Sequence, residues 1–264
     1  MTTSENSTTE AIKYRLHCIK QNFLYHTTGA GRESARALAS LKDQHRGKRC
    51  FILGNGPSLR QTDLSRLRGE FTFGLNRIYL LFPELGFPTT YLVTVNQLVI
   101  DQCAAELASV PALKFFPWTT TTRCHFSSVS ETVYIRTYCA KPQFSTHANQ
   151  SIWSGATVTF VAMQLAYHIG FDEVVLLGVD HSFTTQGKPH TEVVSEGDDP
   201  NHFTPNYFGK GFKWQLPDLE TSEIAYRMAK QAFEADGRRI VDATIGGKLT
   251  VFPKVDYATL SKGK

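Results

Sequence analysis

Residues 49–59 read RCFILGNGPSL, an apolar run that breaks abruptly into a turn of Gly54, Asn55, Gly56, Pro57 and Ser58. Two glycines so close together open backbone angles denied to other residues and let a ligand approach the main chain. Pro57 suits the first position of a helical turn, where its missing N–H costs nothing, so a phosphate is expected at this bend. The dinucleotide fingerprint is absent, because its third glycine would fall on Leu59, and no Gly-Lys-Ser/Thr of a P-loop follows. Polar residues close further apolar runs: Asn76 ends FTFGLN, Asn96 ends TYLVTVN and Asp180 ends VVLLGVD. Each amide offers both donors and an acceptor, so Asn55, Asn76 and Asn96 together could hold a nucleobase, a ribose or a phosphate. Asparagine is also a common turn residue, and only the coincidence of three favours a site.

These residues need strands that deliver them to one edge. Short apolar segments predict strands at 49–53, 71–75, 91–95, 113–116, 133–138, 174–178 and 239–241, alternating with helices, of which 154–168 and 218–235 are the clearest. That alternation predicts an α/β fold, a Rossmann-like and mostly parallel sheet flanked by helices, with ligands beyond the carboxyl ends of the strands. Residues 1–47 read as a disordered tail (1–10) and a helical arm interrupted at Gly29-Ala30-Gly31, 48–257 as the α/β nucleotide-binding domain, and 258–264 as a C-terminal tail. Residues 181–217 lack periodicity and read as a lid-like loop. The chain of 264 residues carries a formal charge of +4 without a concentrated basic stripe, which argues against a nucleic-acid partner. Five widely spaced cysteines signal neither a zinc knuckle nor a disulfide framework. With no apolar run long enough for a transmembrane segment, a cytoplasmic protein is expected, with peripheral attachment at the inner membrane face left open.

GNGPSL, the GLNRIY stretch, Asn96, Trp153-Ser154-Gly155 and LLGVD resemble, in order, the bacterial CMP-sialic-acid-dependent sialyltransferases. Over 46–257 the chain is more similar still to the 6-hydroxymethylpterin diphosphokinase MptE-like family, found in polysaccharide and flagellin glycosylation, which shares that fold. The resemblance carries over Asn55, Asn76 and Asn96 as cytidine-nucleotide contacts and Ser154 and Gly155 beside the sugar; with Gly54, Gly56, Ser58 and Asp180 from the turn and the strand ends they make up the expected nucleotide site. It also implies a CMP-linked sugar donor, a glycan acceptor, a homo-oligomer and no metal cofactor. It also implies a catalytic histidine in the lid, which falls on His202, with Asn206 or Tyr207 as alternative alignments and His181 as the second candidate base. Two tyrosines that steady the leaving phosphate in the sialyltransferases are absent. The sequence has His181-Ser182-Phe183 and Gly187-Lys188-Pro189-His190 instead, which leaves Lys188 or His190 to neutralise that phosphate.

The run Tyr207–Trp214, with Lys210, Lys213 and four aromatics, either closes over the ligand with a lysine at the phosphate or is a surface loop packed on its own rings. Asp180, Asp198 and Asp199 would serve Mg2+ if the reaction were the diphosphokinase one, transferring pyrophosphate from ATP to a pterin alcohol. For Asp198 and Asp199 the stronger reading is that of solvated loop acids. Thr244, in DATIGGK, is either a ribose or phosphate contact or part of a Gly-Gly hairpin. Cys124-His125 makes a poor nucleophile pair, because neighbours on a strand point apart. Three functions follow: a CMP-sugar transferase, a Mg2+-dependent diphosphokinase, and a non-catalytic nucleotide-binding factor for glycan assembly.

Overall fold

The structure, a computed structural model, describes residues 3–122, 131–137, 141–185 and 187–261. Its centre is a seven-stranded sheet of β1 (Arg49–Leu53), β2 (Phe71–Leu75), β3 (Tyr91–Val93), β4 (Leu113–Pro117), β5 (Thr132–Ile135), β6 (Glu173–Leu177) and, after two short strands described below, β9 (Arg239–Asp242). Spatial order is β5-β4-β3-β2-β1-β6-β9, and every pairing is parallel. The chain therefore walks outward from β1 to β5, then crosses back to lay β6 on the other side of β1. Sheets of this kind bind ligands at the carboxyl edge of the strands, beside such a reversal of strand order.

The strands are buried on both faces, which is why they read as continuous apolar runs rather than alternating ones. Cys50 and Ile52 enter one core cluster with α6 (Val158–Ile169) and α7 (Leu219–Ala235), while Phe51 and Leu53 enter the cluster on the opposite face. Helix α7 is capped by Asp218, whose side chain accepts from Thr221 N, as its sequence predicts. Helix α6 begins at Val158, not Ser154, because Gly155 and Ala156 both take left-handed backbone angles (φ 57° and 58°) that no helix can include.

Two expectations for the N-terminal arm are corrected. Helix α1 runs Thr3–Thr27, so polar residues assigned to a tail continue the helix, and the break between the two helices falls at Thr28, with Gly29, Ala30 and Gly31 inside α2 (Gly29–Leu41). Thr28 caps α2, and a Cβ at Gly31 would lie 1.9 Å from the Tyr25 carbonyl oxygen, so this glycine serves close approach of the two helices. The arm also covers the sheet edge: Tyr134 N on β5 donates to Ser34 Oγ, and Tyr25 Oη donates to the Tyr134 carbonyl. Backbone groups that would otherwise template a further strand are thereby satisfied.

Short helices α3 (Phe82–Leu85), α4 (Gln97–Gln102) and α5 (Ala104–Ser109) link the outward strands. Residues 181–217 are not structureless as expected, since β7 (Glu192–Val194) and β8 (Lys213–Gln215) form an antiparallel ribbon. Cys50 and Cys103 are buried free thiols, whereas Cys18 is disulfide-bonded, a cross-link that the cysteine spacing did not signal. Cys124, His125 and Cys139 lie outside the described residues. Among the described residues no helix is long and apolar enough to cross a membrane.

Candidate functional site

Gly54 and Gly56 line the central cavity, but their N–H groups are turned to β6 and its exit. Gly54 N donates to the Leu177 carbonyl (2.8 Å), Gly56 N to that of Gly178 (2.9 Å), and Ser58 N to Asp180 Oδ1 (3.2 Å). Three N–H groups that were to cradle a phosphate are thus spent on β6 and its exit. Pro57 opens a 3-10 turn, Pro57–Gln61, too short to carry a helix dipole of any size. The glycines are required for close contact between the exits of β1 and β6: a Cβ at 54 would lie 2.2 Å from Gly178 O, and one at 56 only 1.8 Å from Asp180 Oδ2. Ser58 is buried outside the cavity and holds Asp180, its Oγ donating to Oδ2 at 2.7 Å. Burial pushes the Asp180 carboxyl above the ordinary carboxylate range, and the two Ser58 hydrogen bonds pull against that rise. Thr244 is likewise in the supporting wall, its Oγ1 accepting from Val179 N beside Asp180.

Asn55, Asn76 and Asn96 do converge, at the ends of β1, β2 and β3, on one cavity of about 410 Å3, within the range of small-molecule sites. Their amides are unequally free. Asn55 Nδ2 donates to the Leu75 carbonyl, and Asn96 Oδ1 caps α4 by accepting from Leu98 N and Val99 N. Asn55 Oδ1 and Asn76 Oδ1 are buried without a partner. An unsatisfied buried acceptor costs roughly 1–3 kcal/mol, so this wall favours a ligand that brings hydrogen-bond donors.

Backbone strain gathers around the same space. Asn76 (φ 49°), Ala156 (φ 58°), His181 (φ 54°) and His190 (φ 65°) all line the cavity in the left-handed region. Such strain clusters where surrounding structure holds a site in shape. Ala156 has no polar side chain to ease it, so Ala156→Gly should raise stability by about 1 kcal/mol. Urea unfolding checks this, and an unchanged midpoint would contradict it. Of the adjacent pair, Ser154 lines the cavity and Gly155 does not; a Cβ at 155 would sit 2.6 Å from Ala225 Cβ, so this glycine lets the turn before α6 pack on α7.

The opposite wall comes from 181–217. His202 lines the cavity with its ring stacked on Tyr207 (centroids 3.9 Å apart, planes at 6°), and its Nδ1 is 2.7 Å from Asp199 Oδ2. Asp199 is buried, and its Oδ1 accepts from Asn201 N, so one carboxylate orders both the turn and the imidazole. This overturns Asp199 as a solvated acid. With Nδ1 donating to a carboxylate, Nε2 is left as the proton acceptor. Tyr207 is buried beneath the ring, and Asn206 is exposed. His181 meets Glu223 (3.1 Å) and His190 meets Asp218 (3.3 Å), both at the cavity. The backbone N–H of Thr221 and then His190 hold the Asp218 carboxyl below its usual range.

Lys188 and Lys210 are exposed and outside the cavity lining, as is Lys213, which pairs with Glu192 across the ribbon while Trp214 turns inward. No lysine or arginine lines the cavity among the described residues, so its cationic potential rests on histidines. Arg77, next to Asn76, has an unforeseen part: it donates to the Tyr207 carbonyl, and its guanidinium lies 5.0 Å from the Phe212 ring centroid. The segment is tied down again where Phe203 N donates to the Asn55 carbonyl at 2.8 Å and Arg60 Nε donates to that of Phe203.

A family model described as 6-hydroxymethylpterin diphosphokinase MptE-like matches residues 26–186, more than half of the chain. The chain belongs to that family. In this MptE-like protein the matched region holds the glycine turn, the three asparagines, Asp180 and His181, and ends before His190 and His202. A MAf glycosyltransferase from Magnetospirillum magneticum AMB-1 shares the fold, with a TM-score of 0.54 at 17% identity, over 88% of this chain. The MptE-like chain covers 39% of the length of that glycosyltransferase. No curated protein matches it.

Proposed function

We propose that this MptE-like chain transfers a sugar, sialic-acid-like and CMP-activated, to a hydroxyl of a surface-glycan acceptor, with residues 181–217 as the lid. One juxtaposition carries the reading: His202, oriented by Asp199, faces strand-end amides across a cavity at the reversal of the sheet. The unpartnered oxygens of Asn55 and Asn76 suit the donor groups of a nucleoside, its ribose hydroxyls and exocyclic amine, better than phosphate oxygens, which only accept. His202 Nε2 takes the acceptor hydroxyl's proton as that oxygen bonds to the sugar's anomeric carbon. The bond from that carbon to the phosphate oxygen breaks, and the nucleotide monophosphate leaves. His190 takes the place at the leaving phosphate that the exposed Lys188 and Lys210 do not reach. The glycosyltransferase named for the similar structure agrees with this reaction class.

The family description favours a second reading, pyrophosphoryl transfer from ATP to a pterin alcohol with Mg2+. The carboxylates at the cavity are already engaged: Asp180 accepts twice from Ser58, and Asp218 accepts from Thr221 N and meets His190, so Mg2+ held with ATP would have to compete with those bonds.

Thermal shift with CMP, CDP, CTP and ATP, each with and without Mg2+, separates the readings. A cytidine nucleotide at about a hundred times its Kd should stabilise the chain by about 2.7 kcal/mol without metal, a rise of roughly 5–10 °C in Tm. Stabilisation by ATP only with Mg2+ would establish the second reading, and no shift with any nucleotide would favour the non-catalytic role or a different ligand. Asn76→Gly sharpens the test, because it removes the acceptor while relieving the positive φ. Affinity should fall by about tenfold without loss of stability, and undiminished affinity would remove Asn76 from the site.

A further inference from the structure

Helix α1 is apolar on two opposite faces. Cys18, Gln21 and Tyr25 are buried against the body of the protein, whereas Ile12, Leu16, Ile19 and Phe23 stand away from it at 53%, 61%, 67% and 65% exposure. At 3.6 residues per turn these four fall within an arc of about 60°, nearly opposite the buried side, and form a projecting ridge. Lys13 and Lys20 border the ridge on one flank and Arg15 on the other, and residues 11–27 contain no Asp or Glu. Arg136 adds a cation on the Arg15 flank, where it donates to Asn22 Oδ1.

We propose that this ridge docks the protein on an anionic lipid surface. A helix lying in the plane of a bilayer buries large apolar side chains at the acyl boundary while lysines and arginines on both flanks reach the headgroups. The charge pattern favours lipid over a second copy of the chain. The spacing 12, 16, 19, 23 is that of a coiled-coil seam, which would place Lys13 and Lys20 at e positions and Arg15 at g. A parallel pair then sets Arg15 against Lys20, and an antiparallel pair sets lysines against lysines, so both arrangements repel. A surface rich in phosphate or carboxylate headgroups satisfies every one of these cations. The ridge is convex, which suits a plane, whereas a protein partner would have to supply a groove.

Co-sedimentation of the full chain with phosphatidylglycerol–phosphatidylcholine vesicles, against pure phosphatidylcholine, tests the assignment. Binding should need the anionic lipid and weaken steeply with salt. Charge reversal at Lys13, Arg15 and Lys20 should lower the partition coefficient by about a hundredfold. The double variant Ile19→Ser/Phe23→Ser should lower it comparably with Tm unchanged, because both side chains are already in solvent. The salt series on the unaltered chain stands independently of the variants. Absence of binding to anionic vesicles, or binding indifferent to salt and to both variants, would overturn the proposal. So would lipid-free self-association that the double variant abolishes, which would give the ridge to a second copy.

Discussion

His202→Ala should slow sugar transfer by about a hundred- to ten-thousandfold, the usual worth of a positioned general base, while nucleotide affinity stays as it was. In the proposed reaction the two effects separate, because the asparagines would hold the nucleotide from the strand side and His202 would act from the lid. A variant turning over at the wild-type rate would exclude it as the base. Asp199→Asn is the more searching test. The carboxylate accepts from Asn201 N through Oδ1 and faces His202 Nδ1 through Oδ2. An amide of the same shape can keep its oxygen on Asn201, but its NH2 then meets Nδ1 and forces the ring proton onto Nε2, where the acceptor hydroxyl must be deprotonated. The expected result is a kcat loss approaching that of His202→Ala at unchanged KM, with the fold intact. A loss of equal size in KM alone would show that Asp199 only shapes the loop.

The same pair marks the limit of what local sequence reports. Strands β1 and β2 were legible to the residue, because burial on both faces writes a mainly apolar run that ends at Gly54 and Asn76. Asn55, Asn76 and Asn96 were legible as a group from their places after such runs. Which amide atoms were already committed was not, since Asn96 Oδ1 is consumed by the cap of α4 and Asn55 Nδ2 by Leu75 on the neighbouring strand. The lid was least legible, because its bonds are distant ones: Arg77 to Tyr207 spans 130 residues, and no periodicity encodes it. Asp199 had a local signal, an Asp two before Asn201 and three before His202, the spacing of an Asx turn that presents its second oxygen to the histidine. Lys188 and Lys210 were placed by charge and by their neighbourhood in the lid sequence, and neither says which way a loop side chain stands.

Gly56→Ala should damage the protein more than its one methyl group suggests. The added Cβ would lie 1.8 Å from Asp180 Oδ2 and 2.9 Å from the Gly178 carbonyl, with no flexible side chain able to yield cheaply. Asp180 is fixed by two Ser58 bonds on the same turn, so moving the carboxylate breaks the link between the exits of β1 and β6. Moving the turn instead breaks the Gly56 N bond to Gly178 and displaces Asn55 from Leu75. Overpacking of this kind costs about 1–3 kcal/mol, and in a chain of this size the Tm should fall by roughly 2–12 °C. Nucleotide affinity should fall with it, because the shifted turn carries Asn55. Gly29→Ala is the matched control: a Cβ there meets nothing within 4 Å, and the residue opens α2, so stability should rise slightly. If Gly56→Ala melted with the wild type and bound nucleotide as well, the close contact between the two strand exits would not be what holds the cavity open.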